Sequence, residues 1–126
     1  MMKGPVKILI VEDEVFIGLS LEAALSREGF EITGVAASGD EAVREAAAAS
    51  PDIIIMDIHL AGDMDGLEAA AQICTSENIP IIFMSGYADE YIQTKVDSFT
   101  PVAFLIKPVK IPQLIQLLND TFALQK

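Results

Sequence analysis

The tightest constraint on this chain is the run Ile53-Ile54-Ile55-Met56, four apolar residues that lead straight into Asp57 and then Ile58-His59-Leu60. A short unbroken apolar run between turn signals reads as a strand buried on both faces. Pro51 and Asp52 open it, and Gly62, Asp63 and Gly66 follow it. The Asp57 carboxylate then lies at the C-terminal end of a central strand. In open parallel α/β sheets that edge is where ligands bind. An aspartate there can equally cap the next helix, so the other strand ends decide its meaning.

Lys7–Val11 repeats the buried-strand pattern and runs into Glu12-Asp13-Glu14. Over residues 14–28, Ile17, Leu21, Ala24 and Leu25 fall at helical spacing, and Gly29 is a C-cap candidate. Residues 31–37 contain Ile32, Thr33 and Val35 and read as a strand. Ser38 and Glu41 match a capping box, opening a helix with Val43, Ala46 and Ala47 inward and a stop by Pro51. Asp65 and Glu68 form a second such box, followed by an apolar stripe of Leu67, Ala70, Ala71 and Cys74. Residues 80–85 are the next apolar strand. Residues 89–97 are a short polar helix with Ile92 and Val96 inward, and residues 102–106 are the last strand, ending at Lys107-Pro108. Ile111, Leu114, Ile115, Leu118 and Phe122 then mark an amphipathic helix.

Strands alternating with helices imply a parallel sheet covered on both faces by right-handed crossovers. The expected architecture is α/β: a doubly wound, five-stranded, flavodoxin-like sheet of order 2-1-3-4-5, with its switch point between strands 1 and 3. A chain of 126 residues, 52% hydrophobic, suits a single domain over 1–126 without covalent staples. The lone Cys74 excludes an internal disulfide and fits a reducing, cytoplasmic compartment. No apolar run approaches the roughly 18 residues of a membrane span, and the first residues lack the apolar region of a signal peptide. A net charge of −11 argues against direct binding to nucleic acid or to an anionic membrane.

Four strand ends bring polar groups to one edge: Glu12 and Asp13, Asp57, Ser85 and Gly86, and Lys107. Crowded carboxylates repel unless a cation is shared. Hard oxygen ligands suit Mg²⁺, which keeps waters and takes one or two carboxylates with phosphate oxygens. Lys107 offers a flexible positive charge, Ser85 a hydroxyl, and Gly86 a closely approachable backbone N–H. Together these are the parts for phosphoryl transfer to a carboxylate nucleophile. Each has a plainer reading alone. The acids around Asp13 suit a helix N-terminus, Ser85 suits a turn, and Lys107 suits an exposed surface. The His59 ring reads as solvent-facing, and Cys74 reads as packing.

With these motifs in place, the sequence resembles the receiver domain of bacterial two-component response regulators. The resemblance covers residue 7 to about residue 124. It rests on Val11-Glu12-Asp13, Met56-Asp57, Asp65-Gly66, Met84-Ser85-Gly86 and Phe104-Leu105-Ile106-Lys107-Pro108. It implies that Asp57 is the phosphoacceptor, and that Glu12, Asp13, Asp57 and the backbone carbonyl of His59 hold Mg²⁺ (or Mn²⁺). It implies that Ser85, Gly86 and Lys107 meet the phosphoryl group, that Ser85 and Phe104 form the switch, and that the Lys107–Pro108 bond is cis. His59 and Tyr87 stand where the family tunes dephosphorylation. Two departures concern loop shape and are expected to leave the chemistry alone. Ala61 stands where the family often has proline, and the loop to Asp65-Gly66 is one residue longer than the common form.

The resemblance further implies a signalling switch, not a metabolic enzyme. A sensor histidine kinase or histidine phosphotransfer protein would be the donor. An output protein or a second copy would bind the face made by helix 4, strand 5 and helix 5. Three other readings stand beside it: a receiver cut from a larger hybrid kinase or multidomain regulator, a phosphatase using an aspartyl-phosphate, and a binding module that has lost phosphorylation. The phosphatase chemistry commonly wants a carboxylate two residues after the nucleophile, where this chain has His59, and a cap domain that the chain lacks.

Overall fold

The computed structural model describes residues 4–124. Ten elements alternate along them: β1 (Lys7–Val11), α1 (Val15–Arg27), β2 (Glu31–Ala36), α2 (Gly39–Ala49), β3 (Ile53–Asp57), α3 (Gly66–Ser76), β4 (Ile81–Ser85), α4 (Glu90–Asp97), β5 (Ala103–Ile106) and α5 (Ile111–Thr121). All neighbouring strands pair in parallel, in the order β2-β1-β3-β4-β5. This is the doubly wound, flavodoxin-like sheet that the alternating pattern predicts.

Alternation along the strands sorts the side chains into two cores. Leu9, Val11, Ile54, Met56 and Phe83 pack with Ala42, Ala46, Ala69, Ala70, Ile73, Ile92 and Val96 on the side of α2, α3 and α4. Ile8, Ile10, Ile53, Ile55, Ile82 and Met84 pack with Leu21, Leu25, Leu114 and Leu118 on the side of α1 and α5. Every residue of β3 and β4 is buried, so these strands need apolar side chains on both faces. β5 is an edge strand and only half-buried.

The helices follow the expected stripes with two shifts of phase. In α2 the buried residues are Gly39, Ala42 and Ala46, while Ala47 is exposed. In α3 they are Gly66, Ala69, Ala70 and Ile73, leaving Ala71 and Cys74 outside. Cys74 is therefore not a packing residue. A run of alanines gives the stripe little to lock onto, and here the larger Ile73 sets the phase. The Asp65–Glu68 capping box is complete, with Glu68 N–H donating to Asp65 at 2.8 Å and Asp65 N–H donating to Glu68 at 2.9 Å. The Ser38–Glu41 box is not. Ser38 Oγ accepts from Glu41 N–H, but the Glu41 carboxylate takes the N–H of Ala37 instead of Ser38.

Gly66 is where α3 presses on the site strand. A β-carbon there would lie 2.1 Å from the carbonyl oxygen of Asp57 and 2.8 Å from the Ile58 Cα, both backbone atoms. Alanine would favour the helix by up to about 1 kcal/mol, but neither backbone neighbour can step aside cheaply. Gly66→Ala is expected to destabilise the protein by a net of about 1–3 kcal/mol. Urea unfolding would show this as a lowered midpoint, and an unchanged midpoint would contradict it.

Candidate functional site

Strand register assembles the site. Val11 pairs with Met56, so the next residues, Glu12 and Asp57, emerge side by side. Asp57 pairs with Met84, and Ser85 pairs with Ile106, which brings Ser85 and Lys107 to the same edge. The backbone tightens this edge: Ile58 N–H donates to the Met84 carbonyl and Lys107 N–H to the Ser85 carbonyl. The Lys107–Pro108 bond is cis, as expected.

Asp57 is buried, and both of its oxygens are engaged. Oδ1 accepts from the backbone N–H of His59 at 3.1 Å, and Oδ2 accepts from Lys107 Nζ at 2.9 Å. The same ammonium lies 3.0 Å from Glu12 Oε1. That second contact is an ion pair without acceptable hydrogen-bond geometry, so Glu12 Oε1 is a buried oxygen with no hydrogen-bond partner. Its companion Oε2 accepts from Glu14 N–H at 3.2 Å. Glu12 thus serves the start of α1 as well as the pocket. Asp13 is half-buried, and its Oδ2 accepts from the N–H of Ala61 at 3.0 Å. Ala61 is therefore not remote from the carboxylates. A proline at that position would have no N–H to give.

Glu12, Asp13 and Asp57 each present an oxygen within 4.8 Å of the others. A buried carboxylate oxygen without a hydrogen bond, inside a trio that shares one lysine, fits a hard divalent cation of the Mg²⁺ or Mn²⁺ kind. One lysine against three carboxylates leaves the pocket short of positive charge. Burial pushes the Glu12 carboxyl up to about 7, against the opposing pull of Lys107. Burial also opposes the charge on Lys107, but the contacts with Asp57 and then Glu12 outweigh it and hold the ammonium above the ordinary lysine value.

Ser85 is fully buried at the end of β4. Its hydroxyl donates to the Tyr87 carbonyl at 2.5 Å and accepts from the Tyr87 N–H at 3.2 Å. Gly86 is open, with nothing within 4 Å of where a β-carbon would stand. Phe104 is half-buried against the α2–α3–α4 core and is not free to solvent. The His59 residue is exposed, but its ring is not merely solvent-facing. Nε2 lies 3.0 Å from Ser85 Oγ, and the ring stacks on Tyr87 with centroids 5.0 Å apart. Sequence reading missed these ring contacts, and the signal lay in matching offsets. His59 is two residues past Asp57 and Tyr87 two past Ser85, at the ends of paired strands.

The sheet order and the lysine-bridged carboxylates at its C-terminal edge define a CheY-like α/β domain. The chain belongs to the response regulator receiver domain family, whose profile matches residues 8–119. The transcriptional regulatory protein PdtaR of Mycobacterium tuberculosis is 35% identical over 111 residues, covering 88% of this chain and 54% of PdtaR. The chemotaxis protein CheY of Thermotoga maritima is 29% identical over 114 residues, covering 90% of this chain and 94% of CheY. Among solved structures, the signal receiver domain of a modulated diguanylate cyclase from Desulfovibrio desulfuricans has a TM-score of 0.86 at 34% identity, covering 94% of each chain. A CheX–CheY–BeF3–Mg complex from Borrelia burgdorferi has a TM-score of 0.86 at 29% identity, covering 94% of this chain and 90% of that one. The chain spans about half the length, or less, of several curated relatives it matches, PdtaR among them. Receiver domains act as signalling switches in two-component systems. Among the described residues no helix is long and apolar enough to cross a membrane.

The Glu12 shift fixes a pH dependence. Its pKa rises from 4.5 to about 7 on folding, so between those values the native state holds a proton that the unfolded state has lost. Glu12's contribution to stability is therefore fully present below the lower value and lost as pH rises through the upper one. In chelator-treated protein, the melting temperature of Glu12→Gln relative to wild type is expected to climb as pH rises from 4.5 past 7. A flat or falling difference would contradict the assignment.

Proposed function

We propose that Asp57 accepts a phosphoryl group from a phosphohistidine on a sensor histidine kinase or a histidine phosphotransfer protein, and that this switches partner binding. The observation that carries the reading is the setting of the Asp57 carboxylate. It is buried at the C-terminal end of a central strand, oriented by His59 N–H and Lys107, and flanked by Glu12 and Asp13. Its position is rigid, and its lysine contact gives charge compensation within reach of an incoming phosphate.

An Asp57 oxygen attacks phosphorus in line. As the new O–P bond forms, the P–N bond of the phosphohistidine breaks, and the imidazole leaves with the electron pair and takes up a proton. Lys107 shifts its ammonium from the carboxylate toward the phosphoryl oxygens, which Ser85 and the Gly86 N–H also meet. Glu12, Asp13, Asp57 and the His59 carbonyl would hold Mg²⁺ (or Mn²⁺), which when bound offsets negative charge on the transferring group. Slow hydrolysis of the acyl phosphate resets the switch. With acetyl phosphate and Mg²⁺, mass spectrometry is expected to find one phosphoryl group, on Asp57. Asp57→Asn is expected to lose it, and undiminished labelling of that variant would sink the proposal.

The output surface in this reading is the face of α4, β5 and α5. It exposes Tyr91 and Ile106, with Lys95 Nζ standing 5.6 Å from the Tyr91 ring centroid. Phe104 lies beneath it and is already half-buried, so complete burial on activation gains only part of an aromatic side chain's roughly 2–3 kcal/mol. A gain of about 1 kcal/mol corresponds to roughly fivefold in association. Phe104→Ala should keep Asp57 labelling but weaken, by about that factor, the dimer or partner complex formed by beryllofluoride-loaded protein. Sedimentation or calorimetry would measure it, and equal affinity in wild type and variant would remove Phe104 from the switch.

A further inference from the structure

We infer that His59 is a latch on the Ser85 hydroxyl, holding it in the resting arrangement and opposing its turn toward a phosphorylated Asp57. The inference rests on the phosphoacceptor reading above and assigns the His59 side chain a positioning role.

The hydrogen-bond inventory gives the direction of the latch. A serine hydroxyl has one proton to donate. Ser85 spends it on the Tyr87 carbonyl. The same oxygen accepts the Tyr87 N–H at 3.2 Å. With its proton committed, Ser85 Oγ can meet His59 Nε2, 3.0 Å away, only as an acceptor. Nε2 must therefore carry hydrogen, and the His59 ring donates. Three partners thus hold one buried hydroxyl, and all of them lie in the two segments that leave β3 and β4.

Stacking fixes the donor. The His59 ring lies at 21° to the Tyr87 ring with centroids 5.0 Å apart. The residue that supplies the two backbone contacts to Ser85 thereby also braces the third. The latch is local: His59 is exposed, Tyr87 is 55% exposed, and neither ring belongs to the two cores. Removing the His59 donor should therefore alter the poise of Ser85 while both cores stay packed, at a cost to stability of no more than about one hydrogen bond. Turning the hydroxyl toward a phosphoryl group means giving up the bonds to Tyr87 and His59 together. The latch should thus bias the domain toward its unphosphorylated form by about the worth of one hydrogen bond.

The test compares wild type with His59→Phe, which keeps an aromatic face for Tyr87 but has no donor. Beryllofluoride with Mg²⁺ is the probe of the phosphorylated form. Its affinity is measured by calorimetry, with melting temperatures of the unliganded proteins as the control for folding. Expected are a melting temperature lowered by only a few degrees, the worth of the lost hydrogen bond, and roughly threefold to tenfold tighter beryllofluoride binding in His59→Phe. Nitrogen-15 NMR of unliganded wild type is expected to show Nε2 of His59 protonated, with its environment changing when beryllofluoride is added. Equal affinity in the two proteins, or an unprotonated Nε2 in the resting state, would overturn the latch while leaving Asp57 as phosphoacceptor. Failure of wild type to bind beryllofluoride at all would overturn the proposed function, and the latch with it.

Discussion

Everything at the C-terminal edge of this sheet answers to one electrostatic problem: three carboxylates share a pocket with one ammonium. Glu12 and Asp57 follow adjacent apolar runs, Ile8–Val11 and Ile53–Met56, that are wholly buried, so neither can retreat into water. Lys107 bridges both at 2.9–3.0 Å, and its side chain is only 19% exposed. Even so the balance is not met. Glu12 keeps one buried oxygen without a hydrogen bond, and its carboxyl is pushed up to about 7. Burial is the main cause of that rise, and the neighbouring Asp57 charge adds to it. Buried ion pairs are often no more stabilising than well-packed apolar residues of similar volume, so such a pocket is weak evidence of stability. The rest of the sheet, with β3 and β4 wholly buried, supplies the rigidity that keeps the charges in place.

The same edge separates fixed parts from movable ones. Asp57 and Ser85 close β3 and β4, where strand pairing and two cores determine their backbones. The contacts that orient their side chains come from the loops just beyond: His59 N–H on Asp57, Ala61 N–H on Asp13, and Tyr87 with the His59 ring on Ser85. Strands thus fix where the polar groups of the site stand, and loops decide what those groups face. A small change in the loops can re-aim a hydroxyl or a carboxylate while the core remains packed.

That division explains how much the sequence disclosed. Strand order, the site edge and its residues follow from apolar runs that end in Asp57, Glu12, Ser85 and Lys107, because a buried strand tolerates a polar residue only where it stops. The Asp65–Glu68 cap was legible for the same reason, since both of its hydrogen bonds are local. The helical faces were less so. Alanine-rich α2 and α3 carry weak phase information, so Ala47, Ala71 and Cys74 lie outside where their spacing suggested burial. The least legible contacts join loops distant in sequence. His59 and Ser85 are 26 residues apart, Asp13 and Ala61 48 apart, and no propensity or period reports on either pair.

Ala61 shows how such a contact changes the meaning of a departure from a family pattern. From the sequence, alanine in place of a frequent proline concerns only loop shape. In the structure it adds a backbone donor that proline cannot supply, and that donor holds Asp13 Oδ2. A carboxylate has acceptor sites on both oxygens, so this bond orients Asp13 and leaves its other oxygen open. Asp13 is the most exposed of the three acids, with the least packing to fix it. A backbone N–H from the β3–α3 loop is therefore a sufficient means of aiming it. The departure at Ala61 thus acts on the most exposed member of the acidic trio through one hydrogen bond.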